Sequence, residues 1–554
     1  MNNLSKEKLK RLKRYNGLSD KIQHVKSSDL ALNNELKVFG KFDPVQFDEE
    51  IDWNYKHSHS VATFQIYLHC LHFIRTLTNS YLITEDAKYL KKAKDLIMQW
   101  IESPQTEKYK SPNSAWRDHS TASRMKNLLH YQLNVPAKYK IEEEAFQNTL
   151  IKHSKFLSMK EHYSENNHGM MSDEGLLFLS NFIDDEERAK FYQEISVLRM
   201  ERIIYKLFSS QSYNLENSPE YHRLTQNLSS RFIRLADMME IEFDERCRNI
   251  IRKSFLNNNK VIKPDLSYPL IGDTGYFKSK LDKSFENFID YQAGLVVLNS
   301  RNDENEAASS WFSFKSGYLS KSHKHRDDLS INYVHKGEDI LIDTGKYTYD
   351  RRKPFKSYVM SPVAHSTIHN IDSDYTLGNA VDDVDLLKTT FVYENDAYTH
   401  LAGINHLYED INIYRDIIYF ENRGFILVDR CYSDSARFMG QNFNLSPDIV
   451  ANKKERNHYE LLTPEKKLLH LKEHTPRTLN KYFGHENRVR GFYSENFNEL
   501  KETHQIEFRK NSLESFFITT LFEEGTDIEN ISKDKGSITF SLSGIEHKIH
   551  LQSL

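Results

Sequence analysis

The sequence predicts a multi-domain α + β chain: a helical domain first, an antiparallel β-sandwich after it. Three observations predict this. The chain has 554 residues, more than one hydrophobic core usually organises. Apolar residues recur every three or four positions up to about residue 300. Beyond it, short β-branched and aromatic runs stand between Gly, Asn and Asp turns.

The helical signal opens in HSVATFQIYLHCLHFIRTL (59–77) and recurs in 87–101, 121–133, 142–159, 187–208 and 218–239. The joining segments are mostly short, so antiparallel helix pairs are the expected packing. The basic start, Lys6 to Arg14, carries Leu9 and Leu12 and predicts a solvated first helix. After residue 300, strands are expected at 329–337, 339–345, 410–432, 515–522 and 537–544, with no helices between them. The boundaries predicted are 1–300 for the helical domain and 301–554 for the sandwich.

Composition removes several function classes. Gly (19) and Pro (12) are scarce while Tyr (31), Phe (33) and His (25) are plentiful, which excludes collagen-like and disordered chains. A net charge of −4 argues against a nucleic-acid partner bound by general attraction. Cys70, Cys247 and Cys431 lie far apart and form no disulfide framework. No run of 18 apolar residues exists for a membrane span, and no apolar stretch follows the basic N-terminus as in a signal peptide, so a cytoplasmic location is expected.

Four clusters carry chemistry. ENNHGMMSDEG (165–175) puts an amide, an imidazole and a glycine at a helix entrance, where anions are favoured; it also reads as an ordinary cap. NSPEYHRL (217–224) sets Tyr221 and His222 early in a helix, as proton-transfer groups or as core residues. In SHKHRDDLSI (322–331), His323 and His325 would share one face of a strand, and Asp343 would make an N,N,O metal set. SYVMSPVAHSTIHNID (357–372) adds His365, with His369 as its competitor. Singly, each histidine also reads as structural.

Together these clusters resemble the heparinase II/III family of polysaccharide lyases, which includes similar alginate lyases. The resemblance runs in order through DWNYKHS (52–58), AWRDHSTASRM (115–125), the NNHG run, SPEYH, YPLIGDT, the HxHxD stretch, DTGKYTY and the AHST turn. It implies an incomplete (α/α) toroid followed by a layered antiparallel sandwich. It also implies β-elimination on an acidic, uronate-containing polysaccharide or oligosaccharide. By position, Asn167 and His168 look like the substrate-carboxylate pair, Tyr221 the catalytic tyrosine and His323 the catalytic histidine. His222, Tyr347 and Tyr349 are further candidates for the sugar site. His325, Asp343 and His365 resemble the ligands of a mainly structural zinc ion, although Ser366 stands where an Asn usually follows the histidine. Lys321, Lys324, Arg326, Arg351 and Arg352 are expected either to read sulfates or to face solvent. Rival readings are a hydrolase using Asp173, Glu174 or Glu220, and a non-catalytic protein of acidic-glycan binding or polysaccharide biosynthesis.

Overall fold

The apolar periodicity of the first half folds into helices Val61–Cys70, His72–Thr84, Ala87–Glu102, Asp118–Asn134, Glu143–Ser158, Asn167–Ser180, Glu186–Leu207, Pro219–Met239 and Glu245–Val261. The computed structural model describes residues 5–16, 22–40, 42–58, 61–106, 115–350, 352–475, 478–534 and 536–553. Among them, no helix is long and apolar enough to cross a membrane. They fall into two compact units, Met1–Lys206 with Thr225–Ile251, and Leu207–Leu224 with Arg252–Leu554.

In the first unit, the helix expected over 59–77 is two helices. Leu71 takes a left-handed conformation (φ 55°) between them. The break frees carbonyls of the last turn, and the helix Asp118–Asn134 supplies donors for them. Arg124 Nη1 donates to His69 O (2.9 Å) and Asn127 Nδ2 to Cys70 O (2.9 Å). Arg124 itself has no exposed surface. A buried guanidinium is costly unless most of its donors are used and its charge is faced by polarisable groups; Arg124 Nη2 finds no acceptor among the described residues. Here it lies over the Trp100 and Trp116 rings (4.1 and 5.0 Å) and donates to His153 Nε2 (2.8 Å) and Ala115 O (2.7 Å). The last of these bonds pins the segment that leads into Asp118.

The second unit is built from antiparallel sheets. Strands Phe288–Asp290, Leu295–Ser300, Ser310–Lys315, Ser330–His335 and Glu338–Leu341 form a meander in chain order, so its first strands precede residue 300. A ten-stranded sheet is centred on Ile411–Phe420, Gly424–Asn444 and His504–Glu523. Its central strands are apolar at consecutive positions because both faces are covered, and period-two alternation divides the residues between them. Ile417, Tyr419, Phe425 and Leu427 meet Val296, Phe312, Phe314 and Tyr333 of the meander. Ile418, Phe420, Ile426 and Val428 meet Ile538, Phe540 and Ile549 of a third sheet, Ile528–His550. The sandwich therefore has three layers.

The other face of the meander is also covered. Leu295, Val297, Trp311 and Val334 pack against Tyr213, Val261 and Ile271. The 207–224 segment, which carries Tyr221, is thereby fixed to the sheet-bearing unit. At the sandwich core, Arg415 forks onto Asp429 (2.7 Å at both oxygens) and donates to Leu329 O (2.6 Å) and Ser366 O (3.2 Å). That anchors the turn holding His365.

Candidate active site

Within the second unit, three segments converge because one position lacks a side chain. Gly272 sits at φ 56°, and a Cβ there would strike Asn217 O and lie 2.9 Å from His323 O. Asn217 bonds the turns together, its Nδ2 donating to Ser320 O (2.6 Å) and Ser322 O (3.1 Å). Ser218 then caps the helix, Pro219 occupies its first turn, and the Tyr221 N–H reaches Ser218 Oγ (3.4 Å). The residues around His323, expected as a strand, form a turn instead. His323 has φ 57°, and the strand starts at Ser330. Short polar turns bonded to Asn217 take the place of ladder bonds there.

The result is a compact acid–base cluster. The Tyr221 and His323 rings stack with centroids 3.3 Å apart, 17° from parallel. Tyr221 Oη lies 2.7 Å from Tyr349 Oη. Burial pushes the Tyr221 phenol up to about 12, and the Tyr349 hydrogen bond opposes that rise. His323 Nδ1 lies 3.2 Å from Asp273 Oδ2. Asp273 Oδ1 lies 3.2 Å from both His325 Nε2 and Lys356 Nζ. Burial alone would raise the Asp273 carboxyl, but the two imidazoles and Lys356 hold it well below the usual carboxylate range. Asp273 escaped the sequence reading. A lone carboxylate inside the YPLIGDT segment forms no local pattern of its own.

Other expected residues lie elsewhere. His222 has no exposed surface; its Nδ1 accepts from Asn214 N–H (3.0 Å), its Nε2 lies 3.2 Å from Ser254 O, and it stacks on Tyr213. Burial holds its pKa down at about 4. It is a structural residue, because both nitrogens serve the backbone. Tyr347 packs with Tyr358, Val359 and Phe492, whereas Tyr349 is half exposed and meets Tyr221. Lys324 is enclosed, paired with Asp327 and Asp328, so it cannot read a sulfate. Arg326 pairs with Asp374 (2.6 Å) and Arg352 with Asp350 (2.8 Å). Lys321 Nζ donates to Leu377 O (2.9 Å). Arg351 lies outside the described residues.

The expected metal residues are neighbours in part. His365 Nδ1 lies 2.6 Å from Asp343 Oδ1, and the His325 and His365 rings are 5.6 Å apart. Buried His365 would lose its charge, but Asp343 and Asp327 raise its pKa overall. Each of the three keeps one buried atom with no hydrogen-bond partner: His325 Nδ1, Asp343 Oδ2 and His365 Nε2. Two imidazole nitrogens and a carboxylate oxygen are zinc donor types, although their ligand atoms are not gathered as closely as those of Asp118, His119 and His168. His369 instead faces Glu507 (3.5 Å).

In the first unit, Asn166 accepts from His168 N–H (2.9 Å) and caps the helix that begins at Asn167. Gly169 is required there, since a Cβ would strike Ser164 O and crowd the Tyr163 ring at 3.1 Å. His168 Nδ1 lies 3.2 Å from Asp118 Oδ1, which also faces His119 Nδ1 at 3.1 Å. Both bonds help hold the Asp118 carboxyl far below its ordinary value against the effect of burial. Asp118, His119 and His168 are the His/Cys/Asp/Glu group whose ligand atoms gather closely enough for a metal ion among the described residues. The carboxylates of the hydrolase reading are all engaged. Tyr163 donates to Asp173 (2.6 Å), Glu174 pairs with Lys126 and Arg231, and Glu220 with Lys346.

Comparison with known proteins identifies the family and the fold. The heparinase II/III N-terminus model matches residues 3–294, and the heparinase II/III-like C-terminal model matches residues 291–540. A heparin-sulfate lyase of Bacteroides stercoris is 18% identical over 483 residues, 78% of this chain and 71% of its own length. The solved structure of heparinase III superposes with a TM-score of 0.79 at 15% identity, covering 100% of this chain and 98% of the other. That of heparan sulfate lyase HepC from Pedobacter heparinus gives 0.72 at 16% identity, covering 98% and 93%. The fold is thus an incomplete (α/α) toroid followed by an antiparallel β-sandwich. With both family models spanning nearly the whole length, the chain belongs to the heparinase II/III family and is a polysaccharide lyase, a carbon–oxygen lyase.

Proposed function

We infer that the chain cleaves a glycosaminoglycan-type, uronate-containing polysaccharide or oligosaccharide by β-elimination, with Tyr221 as acid and His323 as base. The observation that carries this reading is the stacked Tyr221–His323 pair with its Tyr349 and Asp273 partners. The names of the similar lyases of heparin and heparan sulfate support the substrate class. The proton beside a uronate carboxylate is weakly acidic, because its loss adds charge to an existing anion. Donors must offset that charge. Asn167 and His168 are proposed for this role, the first for its amide and the second for its imidazole N–H, on the family resemblance.

His323 Nε2 takes the C5 proton. The C5–H electron pair becomes the C4–C5 double bond as the C4–O bond breaks, and Tyr221 gives its proton to the departing oxygen. A phenol held at about 12 stays protonated at neutral pH, which fits an acid better than a base. A proton passed from the His323 imidazolium to the Tyr221 phenolate, directly or through water, restores both groups. A zinc ion is proposed at His325, Asp343 and His365, where it would brace the turn two residues from His323. Metal analysis of the purified chain checks that assignment.

Elimination creates a conjugated double bond that absorbs in the ultraviolet, whereas hydrolysis or simple binding does not. The test is an absorbance screen of the purified protein against sulfated and unsulfated uronate polymers, alginate included, and their oligosaccharides. Tyr221→Phe should lower kcat by about 10²–10⁴-fold with an unchanged melting temperature. A fully active variant would remove Tyr221 from the chemistry.

A further inference from the structure

We propose that Asp273 is the positioning residue of the elimination: its carboxylate fixes the His323 ring with the proton on Nδ1, leaving Nε2 as the nitrogen that accepts the substrate proton. This rests on the reading of His323 as base.

The geometry that points to it is specific. Asp273 Oδ2 lies 3.2 Å from His323 Nδ1. A carboxylate can only accept, and a neutral imidazole has one N–H, so this contact assigns the proton to Nδ1 and the free lone pair to Nε2. The carboxylate is itself held on several sides. Its Oδ1 lies 3.2 Å from His325 Nε2 and from Lys356 Nζ, and its backbone carbonyl accepts from Ser218 Oγ (3.2 Å). Burying a carboxylate to 5% exposure is costly unless its charge is met, and Lys356 meets it. The left-handed turn at Gly272 (φ 56°) delivers the side chain to this point. As His323 becomes an imidazolium, the same carboxylate stabilises the new charge at its Nδ1–H, a role that a lone imidazole would leave to water.

The test uses the full chain. Asp273→Asn keeps the shape but offers an amide N–H₂ that can donate to Nδ1 and so favour the opposite tautomer. It should lower kcat by about 10²–10⁴-fold while KM changes by less than about threefold. A purely structural role would lower the melting temperature and leave kcat within about threefold of wild type, and that result would overturn the proposal. A second measurement does not depend on the variant folding. With ¹⁵N-labelled histidine, the His323 resonances, assigned by their loss in His323→Ala, should show the Nδ1–H form in the wild-type protein. An Nε2–H form overturns the proposal even if the variant is insoluble. Should the wild-type protein release no ultraviolet-absorbing product from any uronate polymer, the lyase substrate reading fails, and the tautomer still decides the Asp273 contact by itself.

Discussion

Tyr221 and Tyr349 hold their hydroxyl oxygens 2.7 Å apart, and the two phenols are not equivalent. Burial raises both, but the bond lowers the pKa of Tyr221 and raises that of Tyr349. On the proposed reading of Tyr221 as the acid, Tyr349 is the donor that stabilises the Tyr221 phenolate after proton transfer. In Tyr349→Phe that donor is lost, and the Tyr221 pKa rises above its present value of about 12. The direction follows directly: a higher pKa means a weaker acid, so proton delivery slows at every pH at which Tyr221 is protonated. A hydrogen bond to a charged group contributes roughly 1.5–3 kcal/mol, of which a Brønsted fraction appears in the rate. We expect kcat to fall about tenfold and any alkaline limb of the kcat–pH profile to move upward. A kcat–pH series on the two proteins checks this, and superimposable profiles would show that Tyr349 does not tune the acid.

The elements that place these residues were unequally legible. The helices over 87–101, 142–159, 187–208 and 218–239 lie within a residue or two of Ala87–Glu102, Glu143–Ser158, Glu186–Leu207 and Pro219–Met239, because apolar spacing is local and strong. The break at Leu71 was not legible, since the donors that make it tolerable, Arg124 and Asn127, lie more than fifty residues downstream. The HxH stretch misled in the same way: its two-residue spacing suggested a strand, while the bonds that decide its shape come from Asn217. Asp273 had no pattern to betray it, because its significance arises only when a glycine turn brings three segments together. That turn yields a prediction of its own. Gly272→Ala places a Cβ against Asn217 O at φ 56°, and neither backbone can withdraw without pulling Asp273 or His323 with it. Strain of roughly 1–3 kcal/mol is expected, read as a lowered melting temperature. A disproportionate loss of kcat should accompany it, because the displaced groups are those of the acid–base cluster. An alanine variant with wild-type stability and rate would mean that the convergence of segments is not needed.

At the scale of the whole molecule, the family boundary and the physical boundary differ. The two family models meet near residues 291–294, but the compact units interleave, with Leu207–Leu224 and Arg252 onward belonging to the sheet-bearing unit. The reason is the meander's second face, where Leu295, Val297, Trp311 and Val334 lean on Tyr213, Val261 and Ile271. A fragment of residues 291–554 keeps every strand from Leu295 onward and loses that cover. Burying a large apolar side chain contributes about 1.5–3 kcal/mol, so losing Tyr213, Val261 and Ile271 removes roughly 5–9 kcal/mol. A typical domain has a net stability of only about 5–15 kcal/mol. The fragment should therefore aggregate or melt without cooperativity and bind a dye for exposed apolar surface. A fragment of residues 207–554 restores the cover and should be the more stable of the two. Calorimetry of both decides it: a sharp, cooperative transition in the shorter fragment, at the temperature of the longer one, would show that the sandwich holds itself together without the 207–224 segment, and that Tyr221 is carried by it as a passenger.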